Sequence, residues 1–266
     1  MFSNLFHMEL IRYCKNKSTL AAVIATVFLF VISFLIVTTE LTVIMDGSIV
    51  DESIAYSLQA FCVTGLASMF AFFMGLSVVF TTTSFYKNKI YYNINGVISS
   101  RYKLFWADVT VFFVLALSGT VPIMLYSFLT GRFSGNGWIY EMTDHGVVFC
   151  TYFVFCRIFF CMLGAYALSH IIKQSAVVVA CGIAFQLTQG ALLLAIAFYM
   201  ANAFEMGNRG PVDNIISALI APSQSLSFFA TGENAMTPAM IIGTTSIPFA
   251  IIFIVAAVAA GRRIEV

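Results

Sequence analysis

Six long, predominantly apolar stretches decide what this chain can fold into. They occupy residues 18–39, 56–80, 104–129, 147–168, 175–200 and 238–260. A bilayer core about 30 Å thick is crossed by roughly 20 residues of helix, so each stretch is long enough to span. Barrel strands would instead show ~10-residue segments of alternating polarity. Backbone groups in hydrocarbon must bond within their own segment, and a helix achieves this. The sequence therefore predicts an all-α, polytopic membrane protein with six transmembrane helices.

Composition agrees. Charged residues make up 9% of the 266 residues and hydrophobic ones 61%, with a mean hydropathy of +0.96. A soluble domain carries roughly a quarter charged residues, because water must wet its surface. The net charge of +1 points neither to nucleic acid nor to an acidic substrate. The first apolar stretch is longer than a signal-peptide core of ~7–15 residues, and no small-x-small cleavage site comes after it before Glu40, so it is expected to remain as a span. The six cysteines (Cys14, Cys62, Cys150, Cys156, Cys161 and Cys181) lie in or beside apolar runs, with no Cys-x-x-Cys pair. Buried thiols are expected rather than a disulfide framework.

Basic residues set the expected orientation. With both termini in the cytoplasm, Arg12, Lys15, Lys17, Lys87, Lys89, Arg101, Lys103, Lys173, Arg262 and Arg263 fall inside, 10 of the 13 Lys and Arg. Arg132 and Arg209 fall outside, and Arg157 lies within a span. Lys and Arg favour the cytoplasmic face of a membrane protein, and the even number of spans returns the C-terminus there. Nine of the 12 acidic residues then face outward: Glu40, Asp46, Asp51, Glu52, Glu141, Asp144, Glu205, Asp213 and Glu233.

Three segments between or before the spans carry their own pattern. Residues 1–17 place Phe2, Leu5, Phe6, Leu10 and Tyr13 at three- and four-residue spacing, with Asn4, His7, Arg12 and Lys15 on the other face. That pattern predicts an amphipathic helix in the cytoplasmic interface, its Lys and Arg toward headgroups. Residues 85–104 mix Lys87, Lys89, Arg101 and Lys103 with apolar positions. The loop is long enough for a short protruding helix, with Gly96 as a bend and Ser99-Ser100 as a cap for the next helix. The external segment 201–237 holds apolar runs too short to span, broken at Pro222. There is no internal repeat, so the chain reads as the helix 1–17 and then one membrane domain, 18–266.

Few residues carry a pattern that points to chemistry. His7, His145 and His170 are scattered without metal-ligand spacing and read as interface-exposed, so no metal site is expected. Asp108 is the single carboxylate inside a span, which disfavours intramembrane proteolysis. No Gly-x-x-x-x-Gly-Lys-Ser/Thr phosphate loop is present. The residue most out of place is Arg157, mid-way along the fourth span. A charge there costs about 2.5–3.5 kcal/mol on insertion scales and should face protein or water. Gln186 and Gln189 in the antiparallel fifth span lie at similar depth, so the three line a substrate path or subunit seam, or act as structural glue.

The amphipathic start with Glu9 and Arg12, the long basic loop between spans two and three, and the six spans together resemble type-2 ABC transporter permeases. Within the loop, Gly96-Val97-Ile98-Ser99-Ser100-Arg101-Tyr102 is similar to the small-polar-Arg stretch of their coupling helix. Where many members carry a Lys a few residues later, this chain has Trp106, Ala107 and Asp108. The resemblance implies an elbow helix containing Glu9 and Arg12, and a coupling loop with Lys87, Lys89, Gly96, Ile98, Ser100, Arg101 and Lys103. It also implies a separate ABC ATPase subunit that binds ATP and Mg, a second permease chain (identical or a paralogue), and no cofactor or catalysis in this chain. The expected function is then the permease subunit of an exporter in the plasma membrane, moving an amphipathic, peptide or drug-like substrate. One alternative is a gradient-driven carrier or channel. Another is an immunity component whose outward acidic residues attract cationic antimicrobial peptides.

Overall fold

The computed structural model describes residues 2–45, 52–87, 101–134, 146–172, 174–184 and 250–261. All the secondary structure among them is helical. The helices are α1 (Phe2–Lys15), α2 (Lys17–Met45), α3 (Glu52–Lys87), α4 (Arg101–Ser134) and α5 (Gly146–Ile171), then the shorter α6 (Ser175–Ala184) and α7 (Ala250–Gly261). Three of them, within α3, α4 and α5, are long and apolar enough to cross a membrane. A fourth crossing is reached if the bent pair α1–α2 counts as one span. The chain thus reads as a membrane protein that is helical throughout its described residues. The fifth and sixth expected spans correspond to α6 and α7 over ten and twelve residues, and the rest of those stretches lies outside the described residues.

Asn16 makes the joint between α1 and α2. Its N–H donates to the Tyr13 carbonyl at 3.2 Å, closing α1. Its side-chain oxygen then accepts from the Ser18 N–H at 3.0 Å, the bond of an N-cap residue, so α2 starts afresh at an angle of 57°. The Asn16 amide also donates to the Thr81 hydroxyl of α3, which ties the joint to the bundle.

α3 is the central helix. It packs most extensively on α5 and α2, while α4 lies against α3, α5, α2 and α1. The core is built from Phe70, Met74, Phe112, Ile123, Ile158, Met162, Leu163 and Tyr166. Glycines permit the closest approaches, as expected where lipid supplies no hydrophobic drive and helices associate by close contact. A Cβ on Gly75 would stand 3.1 Å from the Cys161 sulfur of α5, and one on Gly119 of α4 would overlap the Phe70 ring of α3. Hydroxyls are satisfied locally: Thr81, Thr83, Thr120 and Ser169 each donate to the carbonyl four residues back on their own helix.

The opposite faces are apolar and open. On α2, Leu20, Ile24, Val27, Val31 and Leu35 form an exposed stripe at helical spacing. On α4, Phe113, Leu117, Val121 and Leu125 do the same. Such continuous apolar surface is unstable in water and is solvated by acyl chains.

The cysteines with described side chains divide, Cys62 and Cys150 lying outside them. Cys156 is buried and Cys161 partly so, as expected, whereas Cys14 and Cys181 are exposed on their helices; all four are free thiols.

Gly119 supplies a direct check on the α3–α4 contact. Gly119→Leu should destabilise the folded chain by about 1–3 kcal/mol, the usual cost of overpacking a filled contact. Ser118→Leu, on the exposed side of the same turn, should leave thermal unfolding in detergent nearly unchanged.

Candidate functional site

The most unusual chemistry lies where α1 meets α4. α1 was expected to turn Arg12 toward headgroups. Instead the outward positions are Asn4, His7 and Lys15, while Arg12 points into the bundle with 13% of its side chain exposed. The reason is a partner 96 residues away, since Arg12 Nη2 donates to Asp108 Oδ1 at 3.2 Å. Arg12 Nη1 also stands 2.7 Å from Glu9 Oε2, one turn back on α1. A guanidinium offers several donors in one plane, so it engages two carboxylates at once.

Packing holds this cluster from all sides. Tyr13 is fully buried, with its ring edge-on to Phe112 of α4 at 5.4 Å, and the Arg12 guanidinium lies 4.8 Å from the Tyr13 ring centre. Phe112 meets Tyr166 of α5 at 5.5 Å, and the Tyr166 side chain hydrogen-bonds Asp108. His170, expected at an exposed interface, is buried with its ring 4.1 Å from that of Tyr166. Glu9 and Asp108 are both wholly buried. Burial, and then the neighbouring Asp108, push the Glu9 carboxyl up to about 9, with Arg12 opposing them. Burial likewise raises the Tyr13 phenol.

The sign of that shift matters. A carboxyl raised from 4.5 to about 9 binds its proton more tightly in the folded state. Its contribution to stability is therefore full below pH 4.5 and is lost progressively as pH rises to about 9.

The other expected site residues lie partly outside the described residues. Arg157 is buried at the middle of α5, with Cys161 one turn further along the same helix. Its expected companions Gln186 and Gln189 lie outside the described residues, as do Lys89, Gly96, Ile98 and Ser100 of the loop. Lys87 ends α3, Arg101 begins α4, and Lys103 is half-buried in its first turn. Both helix ends flanking residues 88–100 therefore lie at the end of the bundle where α1 sits, with Thr81 and Asp108 reaching Asn16 and Arg12. Among the described residues, no three His, Cys, Asp or Glu side chains gather as a metal site.

The chain matches no protein-family model, no curated protein and no solved structure.

Asp108 is the member that the sequence pattern did not join to Glu9 and Arg12. Its signal was present: one carboxylate inside a span, near the end where a Glu-x-x-Arg helix was expected. Replacing Arg12 by Met keeps the apolar stem but strands two buried carboxyls. Loss of one partner from a buried pair costs about 3–5 kcal/mol, so Arg12→Met should abolish or severely lower folded yield. Asp108→Asn, which leaves Arg12 with Glu9, should cost clearly less in the same unfolding assay.

Proposed function

We propose that this chain is the membrane permease subunit of an ATP-driven exporter. In this reading it works with a second permease chain and a separate ATPase that binds ATP and Mg, and both of its termini are cytoplasmic. The observation that carries it is the seating of α1. An amphipathic helix turns 57° from the first apolar helix and is tied by Arg12 to α4. That is the end of the bundle where Lys87, Arg101 and Lys103 flank residues 88–100.

This arrangement suits force transfer. A partner docked on the loop would push on the adjoining ends of α3 and α4, and Asp108 passes that displacement to α1. Packed helices move as rigid bodies between discrete arrangements, and nucleotide binding to the partner biases which is occupied. Arg157 and the amides Gln186 and Gln189 are then candidates for the cargo path or the seam between permeases. The mainly apolar helices suit an amphipathic peptide or drug-like cargo.

Co-expression with the neighbouring genes tests this. A phosphate-loop ATPase should co-purify with the full chain, and Lys87→Glu, Lys89→Glu and Arg101→Glu together should reduce its recovery at least tenfold. Failure of any ATPase to co-purify, with no ATP-dependent transport in vesicles, would remove the reading. Uptake driven by an ion gradient in vesicles of the chain alone would favour a carrier instead.

A further inference from the structure

We propose that Glu9 and Asp108 together hold a single proton, and that this proton is the ligand that keeps α1 seated on α4. The inference concerns this chain alone and does not depend on an ATPase partner.

Charge counting is the first support. Two wholly buried carboxylates meet one largely buried guanidinium, so with both acids ionised these three groups carry a net negative charge. An unpaired buried charge is strongly disfavoured, and a group in that position takes up a proton instead. Hydrogen bonding is the second support. Glu9 Oε1 and Asp108 Oδ2 are both buried with no hydrogen-bond donor, and two neighbouring carboxylates can only accept. Adding one proton from water to a Glu9 oxygen makes it an O–H donor to Asp108. The cluster then becomes one neutral acid, one carboxylate and one guanidinium, with no net charge. Releasing the proton to water reverses the step.

Among the described residues, Arg12 is the cation that acts on both Glu9 and Asp108. α1 contributes Glu9, Arg12 and Tyr13, while its His7 and Lys15 are exposed. α4 contributes Asp108, with Lys103 more than one turn earlier. From α5 come Tyr166 and, behind its ring, His170. α2 brings the exposed Lys17, and α3 brings the uncharged hydroxyls of Ser77 and Thr81 to Thr83. The seat of α1 is therefore closed by a proton, and raising the pH opens it. Because α1 joins α2 through a single capped residue, Asn16, the helix can swing there without unwinding its neighbours.

Infrared spectroscopy of the full chain in lipid vesicles tests the proton directly. At pH about 7, wild type should show the carbonyl stretch of a protonated carboxylic acid, absent from Glu9→Gln and lost as pH rises past about 9. A spin label on the exposed Cys14, with the other five cysteines replaced by Ala, reads the seat. Label mobility should rise at least twofold over that pH range in wild type and stay low in Glu9→Gln, which is neutral at every pH. Should Glu9→Gln fail to fold, Asp108→Asn also leaves one carboxylate for one guanidinium and should show the same pH-independent label. Three results would each overturn the proposal: no protonated-acid band in wild type at neutral pH, a wild-type label indifferent to pH, or a neutralised variant that loosens as wild type does.

Discussion

Hydrocarbon offers a polypeptide no hydrogen bonds, and nearly every feature of this chain derives from that. Backbone groups are satisfied inside each helix, so the segments between them carry the polar residues. Hydroxyl side chains turn back onto their own carbonyls, as at Thr81, Thr120 and Ser169. Apolar residues need not face inward, and exposed stripes such as Leu20 to Leu35 on α2 are stable on the outside. The bundle is then specified by shape, supplied by Gly75 and Gly119, and by a small number of polar contacts between helices.

Under that constraint the Glu9–Arg12–Asp108 cluster stands apart. It concentrates three ionisable groups where burial is nearly complete, and it joins the amphipathic α1 to α4. A buried ion pair is poor evidence of stabilisation, since desolvation offsets much of its attraction. It does fix geometry, because an alternative seat for α1 would leave charges unpaired. The same property makes the seat responsive: anything that changes the charge of the cluster, or moves α4 relative to α1, changes how firmly the helix is held. Under the proposed export function, this links the end of the bundle that meets a partner to the helix lying beside it.

Much of this is legible in the sequence. The amphipathic first helix, the second through fourth apolar helices and the odd position of Arg157 all come from local pattern. Local pattern misleads where a residue's surroundings belong to another segment. Arg12 and His170 resemble interface residues because each sits beside polar or terminal positions, yet each is drawn inward by a neighbouring side chain. Cys181 resembles a buried thiol because its segment is apolar, but in a membrane protein an apolar segment has an outside face as well, and Cys14, beside an apolar run, lies on the exposed side of α1.

Span length, helical character and the sidedness of basic residues are properties of contiguous sequence. The bilayer imposes a fixed thickness and a fixed penalty for charge, and a chain can be read against both one segment at a time. Which carboxylate closes on Arg12 is another matter. Asp108 is 96 residues distant, and its selection depends on the 57° turn at Asn16, the packing of Tyr13 on Phe112, and the Tyr166 side chain reaching across from α5. No single segment contains that information. It arises only when three helices pack, because a buried charge takes whatever partner the packing brings within reach.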